Sequence, residues 1–202
     1  MLCVRKGLLV RMETLPVETA VEWVTAWTGL VWPVSWETAF AIRDRLGWVP
    51  YSEDGTLFTT VLTPPGMEHG GTMSRWQGGL FSGVTFPLAT RVLLGQEEPD
   101  TASVTWAAYQ SYVKALTGLF GQPRTVVSSA GTDDECREAI WYLPNESSFR
   151  LSALPGIIDV DIHSPQSTLN DLEDQRLTAK YGEGWEDRLA PKIGRASCRE
   201  RV

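Results

Sequence analysis

Two stretches near the N-terminus carry apolar residues at helical spacing. The first predicts a helix over about 17–29, with an apolar stripe formed by Val17, Val21, Val24 and Val31. The second lies between Ser35, a suitable N-cap, and Gly47, which suits the left-handed position after a helix. Its predicted buried stripe comprises Trp36, Ala39, Phe40 and Leu46. We therefore expect two helices before any strand.

Beyond Trp48 the pattern changes to one that is typical of strands. Residues 55–63 are rich in β-branched side chains, which predicts a strand. A second strand is predicted by a two-residue alternation that runs through Leu80, Ser82, Val84 and Phe86. Pro87 interrupts that alternation.

The strongest helical pattern lies in the middle of the chain. Thr101 or Ser103 can cap its start, and Gly121 and Pro123 end it. Its predicted apolar stripe comprises Tyr109, Tyr112, Val113, Leu116, Leu119 and Phe120.

The C-terminal third predicts a β-meander and a last helix. The strand-like segments are 124–129, 138–143, 148–154 and 157–163, with a type II turn at Pro155 and Gly156. A final helix begins near Ser167 and carries Leu169, Leu172 and Leu177. This order of elements predicts an α+β fold: an antiparallel sheet on which N-terminal helices, one central helix and a C-terminal helix pack.

The two ends of the chain differ from the rest. Residues 1–11 precede a second methionine, Met12, and we expect them to come from a start codon assigned too far upstream. Back-translation of 193–202 matches a common sequencing adapter in one frame, so we expect 192–202 to be translated adapter. A single α+β domain over 12–191 remains.

The charge of that domain disfavours nucleic acid as a partner. The whole chain has 18 basic and 25 acidic residues, a net charge of −7. Seven Lys or Arg and one Glu lie outside 12–191, which leaves 11 basic and 24 acidic residues and a net charge of −13. Such a chain repels phosphate backbones and favours basic protein partners.

No apolar run approaches the ~20 residues of a membrane span, and Cys136 alone is left in 12–191, which fits a cytoplasmic location.

Three parts of the sequence carry side chains that could form a chemical site. Asp159, Asp161 and His163 alternate along one predicted strand and share a face, but neighbours lie roughly 6.6 Å apart, too wide for one metal. A solvated outer face is the favoured interpretation. His69 lies in a Gly- and Pro-rich loop that is more often a plain connection than a catalytic one. The acids before Cys136 would raise its thiol pKa, so we expect it to be inert.

The sequence contains no hydrolase elbow, phosphate-binding loop, dinucleotide glycine motif or zinc-binding helix motif. We expect neither catalysis, nor a cofactor, nor a metal. Tryptophans are concentrated around the first two helices. We expect these side chains to fill the core rather than to bind a partner. They are Trp23, Trp27, Trp32, Trp36 and Trp48.

Three stretches resemble a known family. They are WTGLVWPVSWETAFAIRDRLGW at 27–48, YVKALTGLFGQP at 112–123 and IWYLPNESSFRLSALPGIIDVDIHSP at 140–165. Together they are similar to a family of actinobacterial cytosolic proteins catalogued only as a domain of unknown function, over about 17–165. Members of that family look like immunity proteins of polymorphic toxin systems. The resemblance implies a protein partner and carries no catalytic residues.

Three functions therefore stand as hypotheses. The first is a non-catalytic immunity protein that neutralises a basic toxin through acidic loops. The alternatives are a chaperone or adaptor for a secreted effector, which an exposed apolar groove would favour, and a hydrolase with a carboxylate site. The candidate partner-binding residues of the first hypothesis are Glu97, Glu98, Asp100, Asp133, Asp134 and Glu135. The oligomeric state is left open.

Overall fold

The structure is a computed structural model. It describes residues 11–64, 66–67, 70–76, 78–92, 97–128, 130, 135–182 and 184–185. The predictions made for 1–10, His69, Asp133, Asp134 and 192–202 lie outside the described residues.

Four helices and eight strands make up the described fold. The helices are α1 (Val17–Thr28), α2 (Trp36–Arg45), α3 (Thr101–Phe120) and α4 (Pro165–Tyr181). The first four strands are β1 (Val49–Pro50), β2 (Leu57–Thr59), β3 (Gly71–Arg75) and β4 (Phe81–Pro87). The last four are β5 (Arg124–Ser128), β6 (Cys136–Tyr142), β7 (Ser148–Leu154) and β8 (Ile157–His163). The predicted α+β class is confirmed.

The eight strands form one sheet in the order β1-β2-β3-β4-β8-β7-β6-β5, and every neighbouring pair is antiparallel. The order divides the sheet into two four-stranded meanders, each preceded by helix, that meet along β4 and β8. Val84 lies opposite Ile162 and Phe86 opposite Val160 across that seam. The two halves share the same strand topology, although the sequence shows no internal repeat.

One face of the sheet forms the core with α1 and α3. Alternate residues of β8, Ile158, Val160 and Ile162, are buried there, as the two-residue period requires. Aromatic rings fill the space beneath α1, where Trp48 lies 5.0 Å from Trp23 and stacks on Phe58 at 4.7 Å between ring centroids. The core interpretation is confirmed for the buried tryptophans of the N-terminal group, which are Trp23, Trp27 and Trp48.

Tyr112 of α3 ties the first segment of the chain to the sheet. Its buried hydroxyl lies 2.7 Å from the carbonyl oxygen of Leu15 and 3.2 Å from that of Leu88. Burial raises the pKa of Tyr112 to about 12, which keeps the hydroxyl protonated as a donor.

The cap signals of α2 act as predicted, but the cap predicted for α3 at Thr101 or Ser103 is wrong, because Asp100 occupies the N-cap position. The Ser35 hydroxyl accepts a hydrogen bond from the backbone N–H of Thr38 at 3.1 Å, and Gly47 has a φ of +73°. The last helix starts two residues earlier than predicted, because the Ser164 hydroxyl accepts from the N–H of Ser167 and Pro165 is compatible with the first turn.

Several apolar residues predicted for the core are at the surface instead. Val31 lies beyond the end of α1 and is 88% exposed, and Leu119 of α3 is 59% exposed. The predicted strand over 55–63 shortens to β2, because the chain turns after Thr60. The sequence pattern also missed β1, which is held by pairing with β2, and β3, which is held by pairing with β2 and β4.

In the part of the chain that the structure describes, no helix is long and apolar enough to cross a membrane.

Gly83 is required at the seam between the two halves. A Cβ at this position would lie 2.2 Å from the carbonyl oxygen of Ile162, which is backbone and cannot move aside. We expect Gly83→Ala to lower the free energy of unfolding by about 1–3 kcal/mol, measured by urea denaturation.

Gly118→Ala is the matched control, because its Cβ would meet nothing within 4 Å in α3. That change is expected to stabilise by about 0.5–1 kcal/mol, through helix propensity. Equal effects of the two substitutions would show that the seam tolerates a side chain.

Candidate functional site

The first acidic cluster lies at the start of α3. Asp100 precedes the first helical residue and is exposed, while Glu97 and Glu98 are half-buried. The carbonyl oxygen of Glu98 accepts a hydrogen bond from the N–H of Thr101 at 3.0 Å. The cluster therefore lies directly before α3, as predicted, and its role in binding a partner stays a prediction.

The second cluster is described only at Glu135. Its carboxylate accepts a hydrogen bond from Nε of Arg137 at 2.6 Å, and its side chain is 14% exposed. Arg137 in turn lies over the ring of Trp106, 4.2 Å from the centroid. Glu135 thus has an intramolecular counter-ion, which makes it less available to a partner than an exposed loop acid.

The second face of the sheet carries a network of ion pairs. Asp161 lies at its centre, where it accepts from the Thr85 hydroxyl at 2.7 Å and from Nη2 of Arg150 at 3.2 Å. The guanidinium of Arg150 also lies 3.6 Å from Glu138. The predicted solvated face is therefore partly covered, because cross-strand arginine side chains and α4 lie over it.

Asp159, Asp161 and His163 share that face, as predicted, but each has a different partner. Asp159 binds Nη2 of Arg91 at 2.9 Å, and Nδ1 of His163 lies 2.7 Å from the carboxylate of Asp171. Within the described ranges, no three or more His, Cys, Asp or Glu side chains are grouped so that they could hold a metal ion.

His163 and Asp171 lie in a cleft of about 230 Å³, with Tyr142, Ser148 and Arg150 in its wall. An acid can orient an imidazole for proton transfer, and sequence reasoning missed this pair because Asp171 lies on the neighbouring helix. The Ser148 hydroxyl, however, pairs with Thr168 at 2.8 Å in a buried contact. The arrangement can hold a small polar group, and the Ser148 hydroxyl in its wall is bound to Thr168 rather than to the imidazole.

Asp159 is the buried carboxylate of the face. Burial raises its pKa above the usual value of 3.8, and the nearby Arg91 opposes that shift. The cavity beside Arg91 is only about 10 Å³, space for one water molecule at most. The Asp159 carboxylate is paired with Arg91 within the fold, and the hydrolase alternative stays a hypothesis.

The thiol of Cys136 has a raised pKa, in the predicted direction. Burial is the first cause of the raised pKa and the charge of Glu138 is the second. The thiol is thus a poor nucleophile at neutral pH.

The structure contains an apolar groove of about 1050 Å³. Its walls are the loop between α1 and α2, the β3–β4 turn, the β6–β7 turn, the C-terminal end of α3 and the first turns of α4. We call this surface the groove. Its residues are 28–33, Trp76, Leu80, Phe81, Phe120, 143–146, 164–166 and Leu169.

Hydrogen bonds and ring stacking hold the groove walls in place. The side-chain amide of Asn145 donates to the carbonyl oxygen of Leu30 at 3.0 Å, which joins two walls. The indole N–H of Trp36 donates to the carbonyl oxygen of Gly79 at 2.6 Å. Trp32 stacks on Phe81, with centroids 5.7 Å apart and the rings 8° from parallel. The groove is therefore formed by specific tertiary contacts.

Apolar side chains at the rim of the groove face solvent. Val31 is the most exposed, Leu80 is 58% exposed, Leu169 is 55% exposed, and Trp76 is also exposed. Sequence reasoning assigned Val31, Leu80 and Leu169 to apolar stripes of a helix or strand. Val31 and Leu80 lie just outside the ends of α1 and β4, and Leu169 lies on a face of α4 over which no described element packs.

The ion pair of Arg91 with Asp159 generates a pH-dependent prediction. The folded pKa of Asp159 is raised, so its ionisation at neutral pH opposes folding, and Arg91 offsets part of that effect. We expect Arg91→Met to lower the free energy of unfolding by about 1–3 kcal/mol at neutral pH. The loss should shrink as the pH falls through the raised pKa of Asp159, where the carboxyl group becomes neutral.

Urea denaturation at a series of pH values measures this. Arg176→Met is the control, because Arg176 pairs with Glu173 on the exposed face of α4, where solvent screens the pair and its loss should hardly change stability. A loss for Arg91→Met that is the same at acid and neutral pH would contradict the assignment of Asp159.

Comparison with known proteins identifies a family. The model of a family of unknown function, DUF6301, matches residues 18–164. No curated protein and no solved structure shows significant similarity to the chain. The matched residues run from the start of α1 to the end of β8, so they span the whole eight-stranded sheet. On this evidence the chain belongs to the DUF6301 family, whose function is unknown.

Proposed function

We propose that this protein is a non-catalytic binding protein that holds an apolar segment of another protein in the groove, as a chaperone or adaptor does. The observation that carries the proposal is the groove itself, about 1050 Å³ in volume, with Val31, Leu80 and Leu169 exposed along its rim. Burying apolar surface is worth about 25 cal/mol per Å², so an exposed apolar concavity favours association.

A protein segment fits the groove better than a small molecule does. Small-molecule sites enclose most of their ligand, with apolar side chains turned inward. In this groove, exposed apolar side chains form the rim, and only an occupant that extends past the opening would cover them. The groove also measures at the upper end of the usual range for ligand cavities.

The mode of recognition follows from the position of the groove in the sheet. An added strand would pair with an edge of the sheet, but the edges are β1 and β5, and neither lines the groove. The walls are loops, turns and helix ends that present side chains. An amphipathic helix, anchored by apolar residues on one face, is the partner segment that such walls accept.

The groove is built before any partner arrives, which favours tight binding. The bonds from Asn145 to Leu30 and from Trp36 to Gly79 fix opposite walls without help from a ligand. A site that is already ordered loses less conformational entropy on binding.

Neutralisation of a toxin is the second candidate function. The acidic composition of 12–191 favours it, because a negative surface speeds association with a basic partner. The resemblance to immunity proteins supports the same proposal. In this case the groove would accept a segment of the toxin.

Selection of peptides tests the groove. A library of displayed peptides is panned on the wild-type protein, and the affinities of the selected peptides are measured by fluorescence anisotropy. We expect peptides with apolar residues at helical spacing. Leu80→Ser combined with Leu169→Ser should weaken their binding at least about tenfold, because two apolar anchors are removed.

The control is Leu119→Ser, since Leu119 is as exposed as Leu80 but does not line the groove. It should leave the affinity unchanged. Equal binding by the groove variant and the control, or no selected peptide at all, would overturn the groove as the binding site.

Co-expression tests the second candidate. The protein is produced together with a toxin encoded beside its gene, and growth and complex formation on a sizing column are measured. Rescue of growth with a stable complex is expected. Neither rescue nor a complex would exclude toxin neutralisation.

A further inference from the structure

One charged side chain distinguishes the groove from a purely apolar surface. Among the described residues that line the groove, Glu146 alone is charged. It lies in the turn between β6 and β7, next to Asn145, and its side chain is exposed. Its carboxylate makes no ion pair or hydrogen bond within the described part of the chain.

The backbone at Glu146 is one that favours glycine. Its φ is +65°, and every other described residue in the left-handed region is a glycine. The turn closes with hydrogen bonds from the N–H of Glu146 to the carbonyl oxygen of Leu143 and from the N–H of Leu143 to that of Ser147. Turns of this kind place glycine or asparagine at the left-handed position far more easily than glutamate.

The local backbone therefore gives no reason for a glutamate here. The carboxylate is not used to hold the turn, since backbone bonds and the Asn145 side chain close it, and Asn145 rather than Glu146 joins this turn to the loop after α1. What Glu146 adds is a negative charge at the rim of an apolar groove.

We propose that the segment held in the groove carries a basic side chain that pairs with Glu146. This inference rests on the proposed function and specifies the chemistry of its partner: an amphipathic helix with apolar residues on one face and a Lys or Arg at the end that meets the β6–β7 turn. Charge complementarity carries it, because the groove offers one negative charge and no positive one among its described residues. The apolar walls supply affinity, and Glu146 selects the orientation and register of the segment.

The test uses the peptides selected on the wild-type protein. We expect Lys or Arg to be enriched at one end of their apolar pattern. Glu146→Asn should weaken the binding of such a peptide by about three- to fivefold, the effect of one partly screened ion pair. The loss should decrease as salt is added, since salt screens an exposed pair. Asn accepts a positive φ, so this variant keeps the turn.

Two controls separate charge from structure. A peptide in which the basic residue is replaced by Gln should bind wild type and Glu146→Asn equally. Glu146→Gly should weaken binding of the basic peptide as Glu146→Asn does, while matching or exceeding the wild-type melting temperature, because glycine relieves the backbone at this position.

The outcomes distinguish this inference from the proposed function. If the Leu80 and Leu169 substitutions abolish binding while Glu146→Asn changes nothing, the groove is the binding site and the charge inference is wrong. If the selected peptides carry no basic residue, the inference is wrong in the same way. If no peptide depends on the groove, both proposals fall.

Discussion

The antiparallel pairing of β4 with β8 is the contact on which the rest of this fold depends. It joins two four-stranded meanders that are distant in sequence into one eight-stranded sheet. Gly83 lies on that seam, where its missing Cβ allows the Ile162 carbonyl to approach. Tyr112 reinforces the same region from α3 by binding the carbonyl oxygens of Leu15 and Leu88. A continuous core beneath α1 and α3 exists only because the two halves share this sheet.

The groove is a consequence of the same pairing. Its walls come from both halves: the loop after α1 and the β3–β4 turn belong to the first, while the β6–β7 turn and α4 belong to the second. Asn145 binds Leu30 across that boundary and so links the walls directly. The walls of the groove are therefore joined by contacts within the chain itself.

The opposite face of the sheet is covered by ion-paired polar side chains instead of an apolar core. There the alternate positions of β8 are polar, and arginines from β7 and from the segment after β4 pair with Asp161 and Asp159. Partly buried ion pairs of this kind add little net stability, since desolvation opposes the attraction between the charges. They do fix side-chain geometry across strands. This face is therefore a network of paired polar side chains, whereas the groove is lined mainly by apolar ones.

The sequence by itself determined the class of fold and most of its helices, because hydrophobic period, caps and turn residues are local signals. Ser35, Gly47 and the alternation of Ile158, Val160 and Ile162 all acted as their patterns predicted. Only the tertiary structure decided which apolar residues stay at the surface. Val31, Leu80 and Leu169 have core-like spacing, yet no element that the structure describes packs over them, because burial depends on neighbours that are distant in the chain. The groove and the pairing of His163 with Asp171 arise from such long-range contacts, and no local pattern encodes them.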